Sequence, residues 1–486
     1  MKIRNANYHW WVYCTVAVGV FMTVMDQSAL NIALPAIANH FQATLPGVQW
    51  IVLSYILTTS VLFLPVGRIS DIFGRRKLFM AGLMVFVCGS LMAGLTDSYN
   101  LLITAKILQA AGAASIQVNG MAMITGAFPD SERGKALGMY MTIIGLGSIC
   151  GPILGGWLTS TFEWRWVFFL SVPVGLIAMI FITLLGRMQT ATGSSKEEVL
   201  GFDWVGSALS SAALVTLLLS VTNSYKMGWF SPSIVFGLVS TCVLLFLFVL
   251  WEYKCHNPIL DLKFFKNRQF SIGMIARSLS FIGNSTVFFL MPFYLVQVTD
   301  LSSARAGLLM VPSSVSMALM SPVGGWISDK IGTQAPALFG LAVSASAMFI
   351  FSNLDLNSSL WYVACGMILF GIGMGTFSSP NSSAVMSTVE RNSFGAVSAL
   401  LNLIRTSSNA TGIAIASTIV SFKIASSGVA DTQTRGYGID YIESFNLGIQ
   451  AAFTIAMVFM ITAFLISIFR KESKSAGGTG EQAGLN

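Results

Sequence analysis

The stretch "GRISDIFG" at residues 67–74 returns as "GWISDKIG" at residues 325–332, and this pair decides how the chain folds. A Pro-Val-Gly tripeptide lies at or just before the start of each copy. Each copy also comes directly after the second long apolar run of its half of the sequence. A short motif in matching positions of two halves indicates that the chain is built from two parallel repeats.

The composition identifies the protein class around this repeat. The 486 residues are 54% hydrophobic and only 10% charged, with a mean hydropathy of +0.73. Soluble domains carry roughly a quarter charged residues. Apolar runs near the length of a membrane-spanning helix, about 20 residues, recur along the whole chain. The sequence therefore predicts an all-α integral membrane protein. The first apolar stretch exceeds a signal-peptide core and contains Asp26, so we expect an uncleaved helix.

Four regions are predicted, and the first three contain fourteen membrane helices. Residues 1–190 form an N-terminal six-helix bundle, 191–256 a linker with two further membrane helices, and 257–470 a C-terminal six-helix bundle. Residues 471–486 are predicted to form a disordered cytoplasmic tail. Most of the 27 lysines and arginines fall in loops on one side, including "GRRK" (74–77) and "KFFKNR" (263–268). The positive-inside rule makes that side cytoplasmic, with both termini there, in the cell membrane.

Several other classes of site are disfavoured by the sequence. The six cysteines show no metal-ligand spacing, and the three histidines lie outside the spans, so we expect no metal and no cofactor. No "GxxxxGK[ST]" loop for an ATPase is present. We read the net charge of +7 as a topology signal, and no nucleic-acid partner is expected.

Three motifs carry a family resemblance: "GRISDIFGRRK" (67–77), "GLGSICGPILGG" (145–156) and "DQSALNIALP" (26–35). Together they resemble the major facilitator superfamily, and more narrowly its fourteen-helix drug:proton antiporter branch, over nearly the whole chain. The resemblance implies two pseudo-symmetric six-helix bundles plus two linker helices, and no enzymatic activity. It also implies a latch between conformations, made by Gly67, Asp71, Gly74, Arg75, Arg76 and Asp329. The alternative is a basic loop that only sets topology.

The second motif resembles the antiporter signature of the same family. Its residues are Gly147, Gly151, Pro152, Gly155 and Gly156 on the fifth predicted helix. Glycines let helices approach closely, and proline loosens the backbone hydrogen-bond ladder. In the family this signature marks exporters rather than importers. Ordinary packing of small residues remains the alternative.

Asp26 is the candidate for proton coupling. It lies about 22 Å along the first helix, where an ionised carboxylate costs at least about 2.5 kcal/mol. It must therefore take up a proton or meet a cation, and a group that alternates between these states carries protons. Lys106 on the fourth helix lies within plausible reach, so a fixed ion pair that merely locks two helices is the alternative. No second acid lies deep in a span, which favours monocationic or neutral substrates.

Two arginines also lie within predicted spans. Arg405 lies about 15 Å into the thirteenth helix, in polar surroundings, and is assigned to proton coupling together with Asp26 and Lys106. Arg277 lies about 10 Å into the ninth helix and could extend to the membrane surface. If the family architecture holds, the first, fourth, ninth and twelfth helices line a central cavity. The candidate substrate contacts are Asn31, Gln109, Asn119, Phe281, Asn284, Tyr294 and Asn381.

The function predicted from these features is proton-coupled efflux of amphipathic small molecules by alternating access, of the multidrug and antibiotic-resistance type. Its partners would be the substrate, protons and the lipid bilayer, with a monomer expected and an envelope adaptor protein left open. Two alternatives remain. One is a dedicated exporter of a single metabolite, lipid or antibiotic. The other is a non-transporting receptor or scaffold on the same fold.

Overall fold

The structure is a computed structural model that describes residues 8–128, 133–186, 203–228, 230–255, 262–389, 394–427 and 439–470. Over these residues it contains fourteen long α-helices, a 3-10 helix at Leu262–Lys266, a π-helical turn at Tyr294–Val298 and no strand. The helices are α1 (Tyr8–Phe41), α2 (Leu45–Phe73), α3 (Arg75–Leu95), α4 (Tyr99–Ala127), α5 (Arg133–Thr161), α6 (Trp166–Gly186), α7 (Trp204–Met227), α8 (Pro232–Lys254), α9 (Arg268–Phe293), α10 (Ser303–Ile331), α11 (Gln334–Ser352), α12 (Leu360–Met386), α13 (Phe394–Ser426) and α14 (Ile439–Ile468).

The predicted all-α membrane fold is confirmed. Over their described residues, thirteen helices are long and apolar enough to cross a membrane. The remaining long helix is α13, which contains the polar stretch "RTSSNATG" at 405–412. A polar helix of this length must face protein or water rather than lipid. We call the end of the molecule where α1 begins and α14 ends the terminal side, and the opposite end the distal side.

Two six-helix bundles pack in the same way, as the internal repeat predicts. In the first, α1 packs on α5 and α6, α4 packs on α2 and α3, and α3 packs on α6. Each of these pairs recurs eight helices later: α9 on α13 and α14, α12 on α10 and α11, and α11 on α14. Between the bundles in sequence, α7 packs on α8, α2 and α13, and α8 packs chiefly on α7.

The two copies of the repeated motif have the same local geometry. Gly74 and Gly332 end α2 and α10 with φ of 94° and 93°, a region that side chains other than glycine rarely adopt. In each copy the glycine N–H bonds the serine carbonyl four residues earlier, and that serine hydroxyl donates to a glycine carbonyl three residues before it. The sequence repeat is therefore also a structural repeat.

The two bundles meet on the distal side. Within the described residues, the largest apolar core cluster takes its first-bundle members from the distal halves of their helices and also includes second-bundle residues such as Leu290 and Val420. Two smaller clusters lie on the terminal side, one around Phe79 and Phe86 in the first bundle and one around Phe270 and Leu401 in the second. The apolar core thus joins the bundles distally and is divided between them at the terminal side.

Candidate functional site

Asp26 lies on α1 inside the first bundle and has no exposed side-chain surface. Its Oδ2 atom lies 3.3 Å from Lys106 Nζ on α4, which forms a buried ion pair. Its Oδ1 atom accepts hydrogen bonds from Gln109 Nε2 and Ser171 Oγ, each at 2.9 Å. The carboxylate is therefore held by α4 and α6 together, as an acceptor of three hydrogen bonds.

Lys106 is equally buried, and its environment completes the network. Its ammonium donates to Gln109 Oε1 and lies 4.7 Å from the ring centroid of Tyr55 and 5.4 Å from that of Phe168. The second amide hydrogen of Gln109 goes to Ser90 Oγ at 2.8 Å. Every polar atom of Gln109 is thereby used. The pair has no net charge, and its hydrogen bonds and aromatic faces offset part of the desolvation cost.

The pairing between Asp26 and Lys106 is the contact that the fixed-ion-pair alternative predicted, and proton coupling at Asp26 is compatible with it. In this conformation the ion pair is inaccessible to solvent, because neither side chain reaches the space between the bundles. A proton that reaches Asp26 would leave Lys106 as an uncompensated buried cation. The site can therefore register a proton as a change in the contact between α1 and α4.

The glycine-rich motif at residues 145–156 holds α5 tightly against α1. A Cβ on Gly155 would lie 2.7 Å from the Cα of Ala29, and a Cβ on Gly147 would lie 3.0 Å from the Cβ of Val24. Ser28 Oγ also donates to the carbonyl of Gly147 at 3.0 Å. Side chains at these glycine positions would push the helices apart, so the close approach depends on glycine.

The same motif connects α1 to the other bundle. A Cβ on Gly151 would lie 2.8 Å from the carbonyl of Met25, the residue before Asp26. On the opposite face of α5, a Cβ on Gly156 would lie 2.5 Å from the carbonyl of Ser303 on α10. The carbonyl of Pro152 likewise lies against Gly307 of α10. Helix α5 therefore contacts both the backbone next to Asp26 and the distal junction between the bundles.

The described residues of the predicted latch make contacts inside the first bundle. Arg75 Nη1 donates to the Ala122 carbonyl on α4, and Arg76 Nε donates to the Ile182 carbonyl on α6, both at 3.3 Å. Gly67 lies near Val118, again within the bundle. The side chains of Asp71 and Asp329 lie outside the described part of the structure, so the latch stays a prediction.

Arg405 is not brought to Asp26. It lies on α13 in the second bundle, partly exposed, and Asn402 Oδ1 accepts a long hydrogen bond of 3.5 Å from its Nη2. Arg277 on α9 lies near it, because Arg277 Nε donates to the carbonyl of Leu401, one helical turn before Arg405. The proton-coupling residues predicted from the sequence therefore occupy two places, a pair in one bundle and an arginine in the other.

The predicted cavity residues occupy different environments. Gln109 belongs to the Asp26 network, and Phe281 lies under the guanidinium of Arg277, with the ring centroid 5.0 Å from Cζ. Tyr294 donates its hydroxyl to the Asp355 carbonyl at 2.8 Å, in the loop after α11 on the distal side. The remaining residues are Asn31, which is partly exposed, and Asn119, Asn284 and Asn381, which are buried and donate to Ser115 O, Ser280 Oγ and Gly273 O.

Sequence reasoning did not identify four members of the Asp26 network. Ser90, Ser171, Tyr55 and Phe168 come from three further helices, and Ser171 is 145 residues from Asp26 in sequence. Isolated serines and aromatics are common in membrane helices, so none of these positions stands out. The only available signal was polarity within strongly apolar runs, which is weak for a single serine.

A sequence model of the Major Facilitator Superfamily matches residues 16–413. The chain is similar to the riboflavin transporter RibZ of Clostridioides difficile, with 30% identity over 466 residues, which are 96% of this chain and 99% of that protein. It is also similar to the multidrug resistance protein Stp of Mycobacterium tuberculosis, with 29% identity over 405 residues, 83% of this chain and 74% of that protein.

A solved structure agrees with the fold. A bacterial homologue of the human lysosomal transporter Spinster, in an inward-facing and occupied conformation, superimposes with a TM-score of 0.69. The sequence identity is 15%, and the match covers 96% of this chain and 97% of that one. At this identity the similarity shows the fold alone.

Proposed function

Because the chain belongs to the major facilitator superfamily and is a multi-pass membrane transporter, we propose that it is a proton-coupled antiporter that exports amphipathic small molecules. The observation that carries this proposal is the ion pair between Asp26 and Lys106, both with no exposed side-chain surface. Ionisable groups this deep in a membrane protein are costly and mark proton or ion pathways. The pair can exist with and without an added proton on Asp26, and these two protonation states give the transporter a switch.

The coupling step follows from the contacts of the pair. A proton on Asp26 removes the attraction that holds Lys106 to α1, and the cost of a lone buried charge is about 3–5 kcal/mol. That cost favours a rearrangement that gives Lys106 another partner or water. The close packing around Gly151 transmits a shift of α1 to α5, and the contact at Gly156 transmits it to α10. Proton binding thereby acts on the junction that closes the distal side.

The arrangement of the bundles corresponds to the step of the proposed export cycle in which cargo is taken up. With the terminal side cytoplasmic, as the positive-inside pattern predicts, the divided end of the core faces the cytoplasm. An exporter takes up its cargo from that side. Proton entry down a membrane potential of 100 mV supplies about 2.3 kcal/mol per charge, which drives the cycle without ATP.

A narrower substrate range is the second candidate. The match to a riboflavin transporter extends over nearly all of both chains, whereas the match to a multidrug resistance protein covers 83% of this one. Export of one metabolite with a flat aromatic ring system uses the same coupling site. A receptor or scaffold on this fold, in contrast, needs no buried acid and predicts no transport.

Reconstitution into liposomes that contain a pH-sensitive dye tests the proposal. The compounds tested are riboflavin and three amphipathic dyes, one cationic, one neutral and one anionic. We expect at least one of them to cause proton movement across the liposome membrane with the wild-type protein. Asp26→Asn should abolish that movement, whereas Asp97→Asn, the same change at an exposed distal carboxylate, should retain it. Equal proton movement in the wild type and Asp26→Asn would refute the coupling role, and no substrate-dependent flux in any protein would favour the receptor alternative.

A further inference from the structure

The deep charges of the described helices do not balance. Four lysine, arginine or carboxylate side chains lie more than six residues from both ends of a described helix: Asp26, Lys106, Arg277 and Arg405. The first two neutralise each other in the first bundle. The second bundle contributes two positive charges, and no carboxylate among the described residues pairs with either of them.

Arg277 is held in place by neutral groups. Its Nε donates to the Leu401 carbonyl at 3.1 Å and its Nη1 to Ser382 Oγ at 3.0 Å, and its guanidinium lies over Phe281. It is 5% exposed, so it does not extend to the membrane surface as its sequence position allowed. These neutral partners accept from two of its five N–H donors and leave its charge uncompensated. Arg277 therefore holds a positive charge in a fixed position inside the second bundle.

Arg405 is the more accessible of the two arginines. A guanidinium has five N–H donors, and within the described residues one of them has a partner, Asn402, at 3.5 Å. Helix α13 packs on α2, and α5 packs on α10, so these four helices lie at the junction between the bundles. Because α13 lies at this junction and Arg405 is partly exposed on it, the Arg405 side chain borders the space between the bundles.

These two arginines reinforce each other as an anion site. Arg277 Nε bonds the carbonyl of Leu401, one helical turn before Arg405, so the two positive charges lie near each other with no counterion among the described residues. Water in the space between the bundles lowers that cost while the terminal side is open. When the bundles close and water leaves, the cost rises again unless the cargo is negatively charged. A planar guanidinium with free donors matches a carboxylate or phosphate group in a bidentate manner.

We propose that the transported molecules carry a carboxylate or phosphate group, which Arg405 binds directly in the space between the bundles while Arg277 adds a fixed positive field. This inference rests on the proposed function, because it takes that space to be the route of the cargo. It differs from the substrate charge expected from the sequence, which assumed an available carboxylate. In the structure Asp26 is fully buried and already accepts three hydrogen bonds, so it offers a cationic cargo no free partner.

Binding of three dyes with the same ring system tests the charge preference without any gradient. The dyes are fluorescein, which is anionic, a rhodamine with a free carboxylate, which is zwitterionic, and the methyl ester of that rhodamine, which is cationic. Fluorescence anisotropy with the purified full-length protein in neutral detergent gives each affinity. We expect fluorescein to bind more tightly than the cationic ester by about tenfold or more.

Variants of Arg405 locate the preference. Arg405→Gln should weaken fluorescein binding about tenfold or more, Arg405→Lys should retain part of the affinity, and Arg405→Glu should shift the preference to the cationic ester. Arg165→Gln, at a distal arginine, should leave all three affinities unchanged. Because Arg405 is partly exposed, we expect its variants to fold, and a measurement of their thermal unfolding checks this. A wild-type preference for the cationic ester, or unchanged fluorescein binding in Arg405→Gln, would overturn the proposal.

Two further arms identify the source of the anion. Transport of fluorescein is measured in phosphatidylcholine vesicles with and without phosphatidylglycerol, and with sodium sulfate against sodium chloride at equal ionic strength. Fluorescein that is bound and transported supports a cargo anion. Fluorescein that is displaced by the lipid or by sulfate and never transported identifies a lipid headgroup or inorganic ion as the occupant, which overturns it. Loss of proton movement with the binding preference intact would refute the proposed antiport and leave the charge assignment standing.

Discussion

Removing either partner of the buried ion pair should cost more than removing both. Asp26→Asn leaves Lys106 as a lone buried cation, and Lys106→Met leaves Asp26 as a lone buried anion, since neither has exposed side-chain surface. Loss of one partner of a buried pair costs about 3–5 kcal/mol, because the remaining charge stays desolvated. The double variant has no buried charge. Replacing a whole pair with neutral groups is often nearly neutral, so its stability should return toward that of the wild type.

The measurement is a double-mutant cycle on the free energy of unfolding. Equilibrium unfolding of the purified proteins in mixed micelles gives that free energy for the wild type, both single variants and the double variant. The neighbours Gln109 and Ser171 can still bond the asparagine that replaces Asp26, so the lost ion pair is the main difference. Single losses below about 1 kcal/mol that simply add would show that the pair contributes little, and would refute the reasoning.

Three further predictions concern packing, backbone and surface. Gly155→Val should separate α5 from α1, because a Cβ there would lie 2.7 Å from the Ala29 Cα. We expect transport to be lost and the free energy of unfolding to fall by about 1–3 kcal/mol. An unchanged melting temperature together with unchanged transport would contradict this prediction. Gly332→Ala should lower the unfolding free energy by about 1–2 kcal/mol, because its φ of 93° strains any side chain, and an unchanged denaturant midpoint would argue against this strain. Arg165→Ala should change the free energy of unfolding by less than about 1 kcal/mol, because the salt bridge between Arg165 and Asp97 is exposed on the distal side. A larger change in thermal unfolding would show that this salt bridge stabilises the protein more than an exposed pair does.

The fold followed from the sequence because membrane helices are specified by length and polarity. An apolar run of about 20 residues has few alternatives to a helix in a bilayer, since every backbone polar group must be satisfied internally. The repeated loop motif predicted that the two halves of the chain are structural repeats. Gly74 and Gly332 confirm this prediction, because both adopt the same unusual φ angle. Helix α13 was predicted despite its polar stretch, and the resulting fourteen helices are consistent with both termini on one side.

The candidate site was predicted only in part. The rarity of deep charges in membrane helices identified Asp26 and Lys106, and their depths made a contact plausible. Ser171 was not found, because a lone serine carries no periodic signal and its contact depends on how α6 packs on α1. The burial of Arg277 was also missed. Depth along a helix does not say which face a residue occupies, and here the neighbouring helices α12 and α13 provide its hydrogen bonds.

The central claim is that Asp26 gains and loses a proton during transport, and infrared difference spectroscopy observes that directly. Reconstituted protein is recorded with and without a transported dye, and the C=O band of a protonated carboxyl group is followed. The account predicts a change in this band that is present in the wild type and in Asp97→Asn and absent in Asp26→Asn. Substrate-dependent proton transport in the wild type without any such change at Asp26 would contradict it.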